Sequence, residues 1–269
     1  MLKDITIGQY YPSESVVHKL DPRLKIILTL VYIVAIFLIR NFWGFLLLAV
    51  LSILLCKVSK IPVGFLLKGL KPLAVLMVIT ALLNLFMTDG KILWQLGFLK
   101  ITQEGIILSA FMLLRILFLV MGTSFLTYTT TPITLTSGIE SLLKPFSKIG
   151  VPSHEIAMMM SIALRFIPTL IEETDKIMAA QKARGAALSE GNLIQRAKSL
   201  IPILIPLFVS AFRRADELAI AMESRCYHGG DDRTKMKELK YGKRDTIALF
   251  VFAICLTGML MLNLLGASL

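Results

Sequence analysis

Two short stretches hold the residues best suited to chemistry with another molecule. Gln181-Lys182-Ala183-Arg184-Gly185 and Glu223-Ser224-Arg225-Cys226-Tyr227 each set an arginine between two small neighbours. Small flanks leave a guanidinium reachable, and its five donors can fork onto carboxylates or backbone carbonyls. An arginine near a helix C-terminus is also favoured by the macrodipole, which would account for either triplet alone. Two triplets 41 residues apart, each closing a helix with an apolar stripe, point instead to contact with a partner.

The remaining reactive side chains are less specific. Glu172, Glu173 and Asp175 cluster behind an apolar run and read as a solvated, charged helix segment rather than an acid–base pair. His18, His154 and His228 are far apart, and Cys56, Cys226 and Cys255 form no CxxC, so neither a zinc site nor a disulfide framework is expected. The chain contains no GxxxxGK[ST], no HExxH and no GxSxG, so it carries no phosphate loop of its own. No catalytic residue and no metal ligand is assigned.

The elements that position the triplets follow from composition. Of 269 residues, 56% are hydrophobic and 17% charged. A soluble domain averages about 45–50% apolar and about 25% charged, and here the excess lies in long runs, so the bilayer is the solvent. Five runs are long enough to span: 24–39, 42–56, 72–88, 105–128 and 246–265. The first two form a tight hairpin with snorkelling ends, and Pro72 suits a first helical turn. Arg115 is the one charge deep in a run, at a cost of at least about 2.5–3.5 kcal/mol, so it faces the bundle or a partner. The first apolar run begins near Ile26 behind a polar stretch, so the N-terminus is expected to be retained rather than cleaved as a signal peptide.

The net charge of +11 is a topology signal rather than a nucleic-acid footprint, since no basic stripe is interleaved with aromatics. Lysine and arginine gather before the first run, between the second and third, and after the fourth, which places those regions and the N-terminus inside. The expected organisation is an N-terminal membrane domain of four helices (1–130), a cytoplasmic helical region (131–245) and a last transmembrane helix (246–269).

Within 131–245 the apolar stretches 156–171 and 199–212 are broken by Pro168 and by Pro202 and Pro206. At 1.5 Å per residue, 14 residues rise about 21 Å, short of a core of about 30 Å. Both are read as helices along the membrane face, with a pair of extra spans as the alternative. They continue as amphipathic helices. Leu218, Met222 and Cys226 recur at four-residue spacing, and Gly185 and Gly229 or Gly230 are expected stops. The fold class is an all-α integral membrane protein with amphipathic helices inserted between spans four and five.

The paired triplets resemble the two Ala-Arg-Gly-type signatures of the transmembrane subunit of energy-coupling-factor (ECF) transporters, the EcfT (CbiQ/BioN-like) family. His18-Lys19-Leu20-Asp21-Pro22-Arg23-Leu24-Lys25, Ala163-Leu164-Arg165-Phe166-Ile167-Pro168 and Gln181 are similar to the same family, and the resemblance runs from about Ser13 to Asp245. The second triplet departs from the pattern, with Ser224 and Cys226 in place of alanine and glycine. The resemblance implies a vitamin or micronutrient importer of the bacterial plasma membrane. Its amphipathic helices would be coupling helices seated on two P-loop ATPase subunits, and a small membrane-embedded substrate-binding S component would be the other partner. Ala183, Arg184, Gly185, Ser224, Arg225 and Cys226 would form the ATPase-docking residues. The chain would itself be non-catalytic and without a cofactor, with ATP and Mg²⁺ on the ATPase subunits. For Arg115, a hydrogen bond to carbonyls and a contact with the substrate-binding subunit are both open.

Two other classes compete. An intramembrane enzyme acting on lipid would use Arg115, Arg165 and the carboxylates, but no paired catalytic residues stand at helical spacing. A stand-alone secondary transporter would often show internal repeats, and the halves do not repeat. Cargo is read by another chain under the ECF reading, so no residue here names it.

Overall fold

A computed structural model of the protein describes residues 10–96, 99–150, 152–186, 192–229 and 239–266. In chain order the elements are α1 (Pro22–Leu38), α2 (Phe42–Ser59), α3 (Val63–Lys68), α4 (Ala74–Met87), β1 (Ile92–Leu96), β2 (Leu99–Thr102), α5 (Gln103–Thr129), α6 (Pro132–Leu143), α7 (Ser153–Ala183), α8 (Leu193–Glu223) and α9 (Lys243–Gly266). Two compact units result, and the division falls within α6.

The first unit comprises Gly8–Gly138 and Leu239–Leu269. Its core is a seam between α1, α2, α5 and α9, filled by Tyr32, Ile36, Phe45, Leu48, Phe118 and Met259 among others. Gly122 of α5 lies directly against the Tyr32 ring, where a Cβ would collide. That approach lets the Tyr32 hydroxyl donate to the Phe118 carbonyl at 2.9 Å, satisfying the one polar atom of a buried ring.

The sequence around Asp21 explains how this unit closes. The Asp21 carboxylate accepts the Arg23 N–H at 2.8 Å, and Pro22 occupies the first helical turn, where a missing N–H costs nothing. The Asp21 N–H in turn donates to Asp245 Oδ1 at 2.8 Å, and Asp245 Oδ2 accepts the Gly242 N–H at 2.8 Å. Lys25, buried, donates to the Thr129 carbonyl at 2.8 Å and to the His18 carbonyl at 3.2 Å. The beginnings of α1 and α9 and the end of α5 therefore meet in one polar knot. At the opposite end of α1, Asn263 donates to the Leu38 carbonyl at 2.7 Å and accepts the Arg40 N–H at 3.1 Å.

Five helical segments are long and apolar enough to cross a membrane: Phe42–Ser59, Val63–Met87, Gln103–Thr129, Ser153–Ala183 and Lys243–Asn263. Four of them overlap the predicted spans two to five, containing 42–56 and 105–128 whole and falling one and two residues short of the ends of 72–88 and 246–265. The predicted span 24–39 is α1, whose 17 residues rise only about 25 Å. α7 joins the set because its apolar half and its amphipathic half form one unbroken helix of 31 residues, about 46 Å long. Between α4 and α5 the chain adds an antiparallel pair, β1 with β2, for which the sequence reading had no strand.

The second unit lies within Ile139–Glu238 and is dominated by α7 and α8, each 31 residues long. The expected breaks at Pro168, Pro202 and Pro206 are absent; all three prolines sit inside continuous helix. A proline removes one rung of the i→i−4 ladder, so Pro206 leaves the Pro202 carbonyl without its helical donor. Gln181 of α7 fills that place, its Nε2 donating to the Pro202 carbonyl at 3.4 Å.

Candidate functional site

The two triplets stand at corresponding places. α7 ends at Ala183, Arg184 is its C-cap residue, and Gly185 follows with φ +83°. The Gly185 N–H donates to the Lys182 carbonyl and the Ala186 N–H to the Gln181 carbonyl, both at 3.0 Å. α8 ends at Glu223, and Cys226 takes φ +58°. The Cys226 N–H donates to the Glu223 carbonyl at 2.8 Å and the Tyr227 N–H to the Met222 carbonyl at 3.0 Å. This is the six-to-one and five-to-two hydrogen-bond pattern of a Schellman cap, made twice, with an arginine one step before the left-handed residue each time.

The substitution of cysteine for glycine in the second triplet therefore leaves the backbone path intact. Left-handed backbone disfavours a residue with a Cβ by about 1–2 kcal/mol, and Cys226 bears that cost where Gly185 does not. The expected helix stop at Gly229 is corrected: α8 has already ended at Glu223, and Gly229, with φ +108°, lies in the chain beyond. Gly230 lies outside the described residues. The apolar stripe likewise stops at Met222, since Cys226 is past the helix end and exposed.

All six predicted residues, Ala183, Arg184, Gly185, Ser224, Arg225 and Cys226, are exposed. They form two separate tips rather than one pocket. Among the described residues neither the Arg184 nor the Arg225 guanidinium has a hydrogen-bond or ion-pair partner, while the Ser224 hydroxyl donates to the Ala221 carbonyl at 3.1 Å. Each tip thus presents the fork donors of an exposed guanidinium, able to engage carboxylates or backbone carbonyls of another molecule.

The other candidates are engaged in structure. Arg115 Nη2 donates to the Ile39 carbonyl at the end of α1 at 3.1 Å, and its guanidinium lies 5.7 Å from the centroid of the Phe37 ring. Of the two readings left open for Arg115, this supports the hydrogen bond to a carbonyl. Glu173 pairs with Arg214 at 2.7 Å, whereas Glu172 and Asp175 are exposed. His154 sits 3.3 Å from Glu140. Among the described residues no three histidine, cysteine, aspartate or glutamate side chains converge as a metal site. The Glu173–Arg214 pair was missed by sequence reading, which had no means of setting α7 against α8.

The family described as CbiQ, cobalt transport protein, matches residues 13–236. Full-length relatives are similar throughout. A protein of Clostridium kluyveri named energy-coupling factor transporter transmembrane protein EcfT is 62% identical over 250 residues, covering 92% of this chain and 93% of its own. A protein of the same name from Thermosediminibacter oceani is 54% identical over 97% of this chain and 98% of its own. The one from Bacillus subtilis is 46% identical over 95% and 98%.

Proposed function

The chain belongs to the CbiQ cobalt transport protein family, and from that membership we propose how its two arginine tips work. It is the transmembrane coupling subunit of an energy-coupling factor transporter, a multi-helix membrane protein. Arg184 and Arg225, with their small neighbours Ala183, Gly185, Ser224 and Cys226, each dock on one of two P-loop ATPase subunits. ATP and Mg²⁺ are bound and turned over there, and this chain makes no covalent chemistry. Closing and opening of the ATPase pair displaces α7 and α8. The helices pass that motion to a small membrane-embedded substrate-binding subunit whose site changes sides. The N-terminus and the segment 131–245 lie on the cytoplasmic side of the plasma membrane, as the clustering of basic residues favours.

The observation that carries this reading is the repetition of one Schellman cap at the ends of two 31-residue helices, each with an exposed arginine that has no partner among the described residues. A single capped arginine is accounted for by the helix dipole; two identical tips on one compact unit fit two like partners. The family disfavours the lipid-enzyme and secondary-transporter readings. The test is the double variant Arg184→Glu/Arg225→Glu in cells that depend on the transporter. Uptake is expected to vanish while the chain still inserts and the ATPases no longer co-purify. Uptake at the unaltered rate would overturn the docking role.

A further inference from the structure

The 2.7 Å contact between Glu173 Oε2 and Arg214 Nη2 joins α7 and α8 about two-thirds of the way along each. Its placement relative to the tips is symmetrical. Arg184 lies eleven residues beyond Glu173, and Arg225 lies eleven residues beyond Arg214. Eleven residues are three helical turns within about 20°, so each tip stands on the same stripe as its own half of the ion pair, about 16 Å further along.

A second contact fixes the sense of the two helices. Gln181, eight residues beyond Glu173 on α7, reaches Pro202, twelve residues before Arg214 on α8. Advancing along α7 therefore retreats along α8, and the two helices run in opposite senses. The arginine tips project to opposite sides of the ion pair on arms of equal length. The inward stripe of α8, running through Ile203, Leu207, Ser210, Arg214, Leu218 and Met222, is half-buried or buried, while the charges flanking Arg214, namely Arg213 and Asp216, are exposed. Arg214 and Glu173 thus lie on the half-buried stripe at the edge of the packed face, their side chains 35% and 28% exposed.

We propose that Glu173 and Arg214 are positioning residues forming the fulcrum that holds α7 and α8 as one rigid lever, so that displacement of one arginine tip is delivered to the other. The Gln181–Pro202 contact is the second point of the clamp, and two points are needed to resist rotation of one helix over the other. An apolar interface alone is non-directional and permits sliding, whereas a short bidentate-capable ion pair selects one register. This inference rests on the docking reading above. It adds that the two tips are tied to each other through this chain's own ion pair, so that they move together.

The experiment uses the complete transporter, purified from membranes and reconstituted in vesicles, and measures substrate taken up per ATP hydrolysed. Glu173→Arg opposes two guanidiniums and is expected to lower that ratio at least tenfold while both ATPase subunits still co-purify. The exchange Glu173→Arg/Arg214→Glu restores the pair with reversed polarity and is expected to return the ratio to within about threefold of the original protein. Glu173→Gln, which keeps the shape and a hydrogen-bond acceptor, is expected to fall between the two. A merely destabilised chain would lose complex yield and hydrolysis together and leave the ratio unchanged. Unaltered coupling in Glu173→Arg, or failure of the exchange to rescue, overturns the fulcrum. Loss of the ATPases in Glu173→Arg also overturns it. Failure of the docking reading is seen separately, as ATPases that remain bound to Arg184→Glu/Arg225→Glu.

Discussion

Gly185 and Cys226 occupy the same left-handed step in two copies of one helix cap, with φ +83° and +58° respectively. Among the described residues, its own chain neighbours aside, no atom lies within 4 Å of the position a Cβ would take at Gly185, so a side chain there meets the conformational cost. Gly185→Ala is therefore expected to destabilise the last turn of α7 by about 1 kcal/mol, and Cys226→Gly to stabilise that of α8 by a similar amount. Each corresponds to a roughly fivefold change in local opening, read as amide exchange at Ala186 and Tyr227 by mass spectrometry. Equal exchange in Cys226→Gly and the unaltered chain would show that the left-handed step carries no cost.

Gly122→Ala tests the seam between α1 and α5. The added methyl would collide with the Tyr32 ring, which its hydroxyl bond to the Phe118 carbonyl holds in place. Overpacking of this kind costs about 1–3 kcal/mol, and the detergent-solubilised protein should melt several degrees lower. Adding Tyr32→Leu should recover part of the loss, because the collision and the tether disappear together. Additive losses in the double variant would mean the two residues are not in contact.

His18 provides a pH dependence whose sign can be worked out. Its Nε2 is 3.0 Å from the Tyr11 carbonyl and so carries the proton, while Nδ1 sits 2.7 Å from the Ser15 hydroxyl. Burial lowers its pKa below the ordinary 6.5, and the nearby Lys25 ammonium lowers it further, against the raising effect of the Tyr11 carbonyl bond. The unfolded chain then binds the proton more readily than the folded one. The contribution to stability is complete above about pH 6.5 and declines as pH falls through the lowered value. Melting temperature in detergent should drop between about pH 7 and pH 5, with a shallower drop in His18→Gln. An identical slope in both proteins would remove His18 from the account.

Much of the architecture was legible before any coordinates. Long apolar runs with at most one charge suit the bilayer, and those at 42–56, 72–88, 105–128 and 246–265 each coincide, to within two residues at their ends, with a helical segment able to cross a membrane. The Asp21-Pro22 pair is a local cap and first-turn signal, and α1 begins there. Gly185 marked the end of α7 because a residue without a Cβ is the natural left-handed stop. Cys226 was hidden for the same reason: side-chain rules disfavour cysteine there, and the hydrogen bonds of the cap outweigh the preference.

Local pattern alone determined that this chain is built of membrane helices and that two arginines end two of them, because apolar length, helical period and capping act over a few residues. Tertiary structure alone decided that α7 passes unbroken through Pro168, that Gln181 takes up the carbonyl freed by Pro206, that Arg115 serves the end of α1, and that Glu173 meets Arg214. These depend on which helix lies beside which and in what register. That choice is made by the packing of whole faces, whose free energy is spread over many side chains and leaves no mark at any single position.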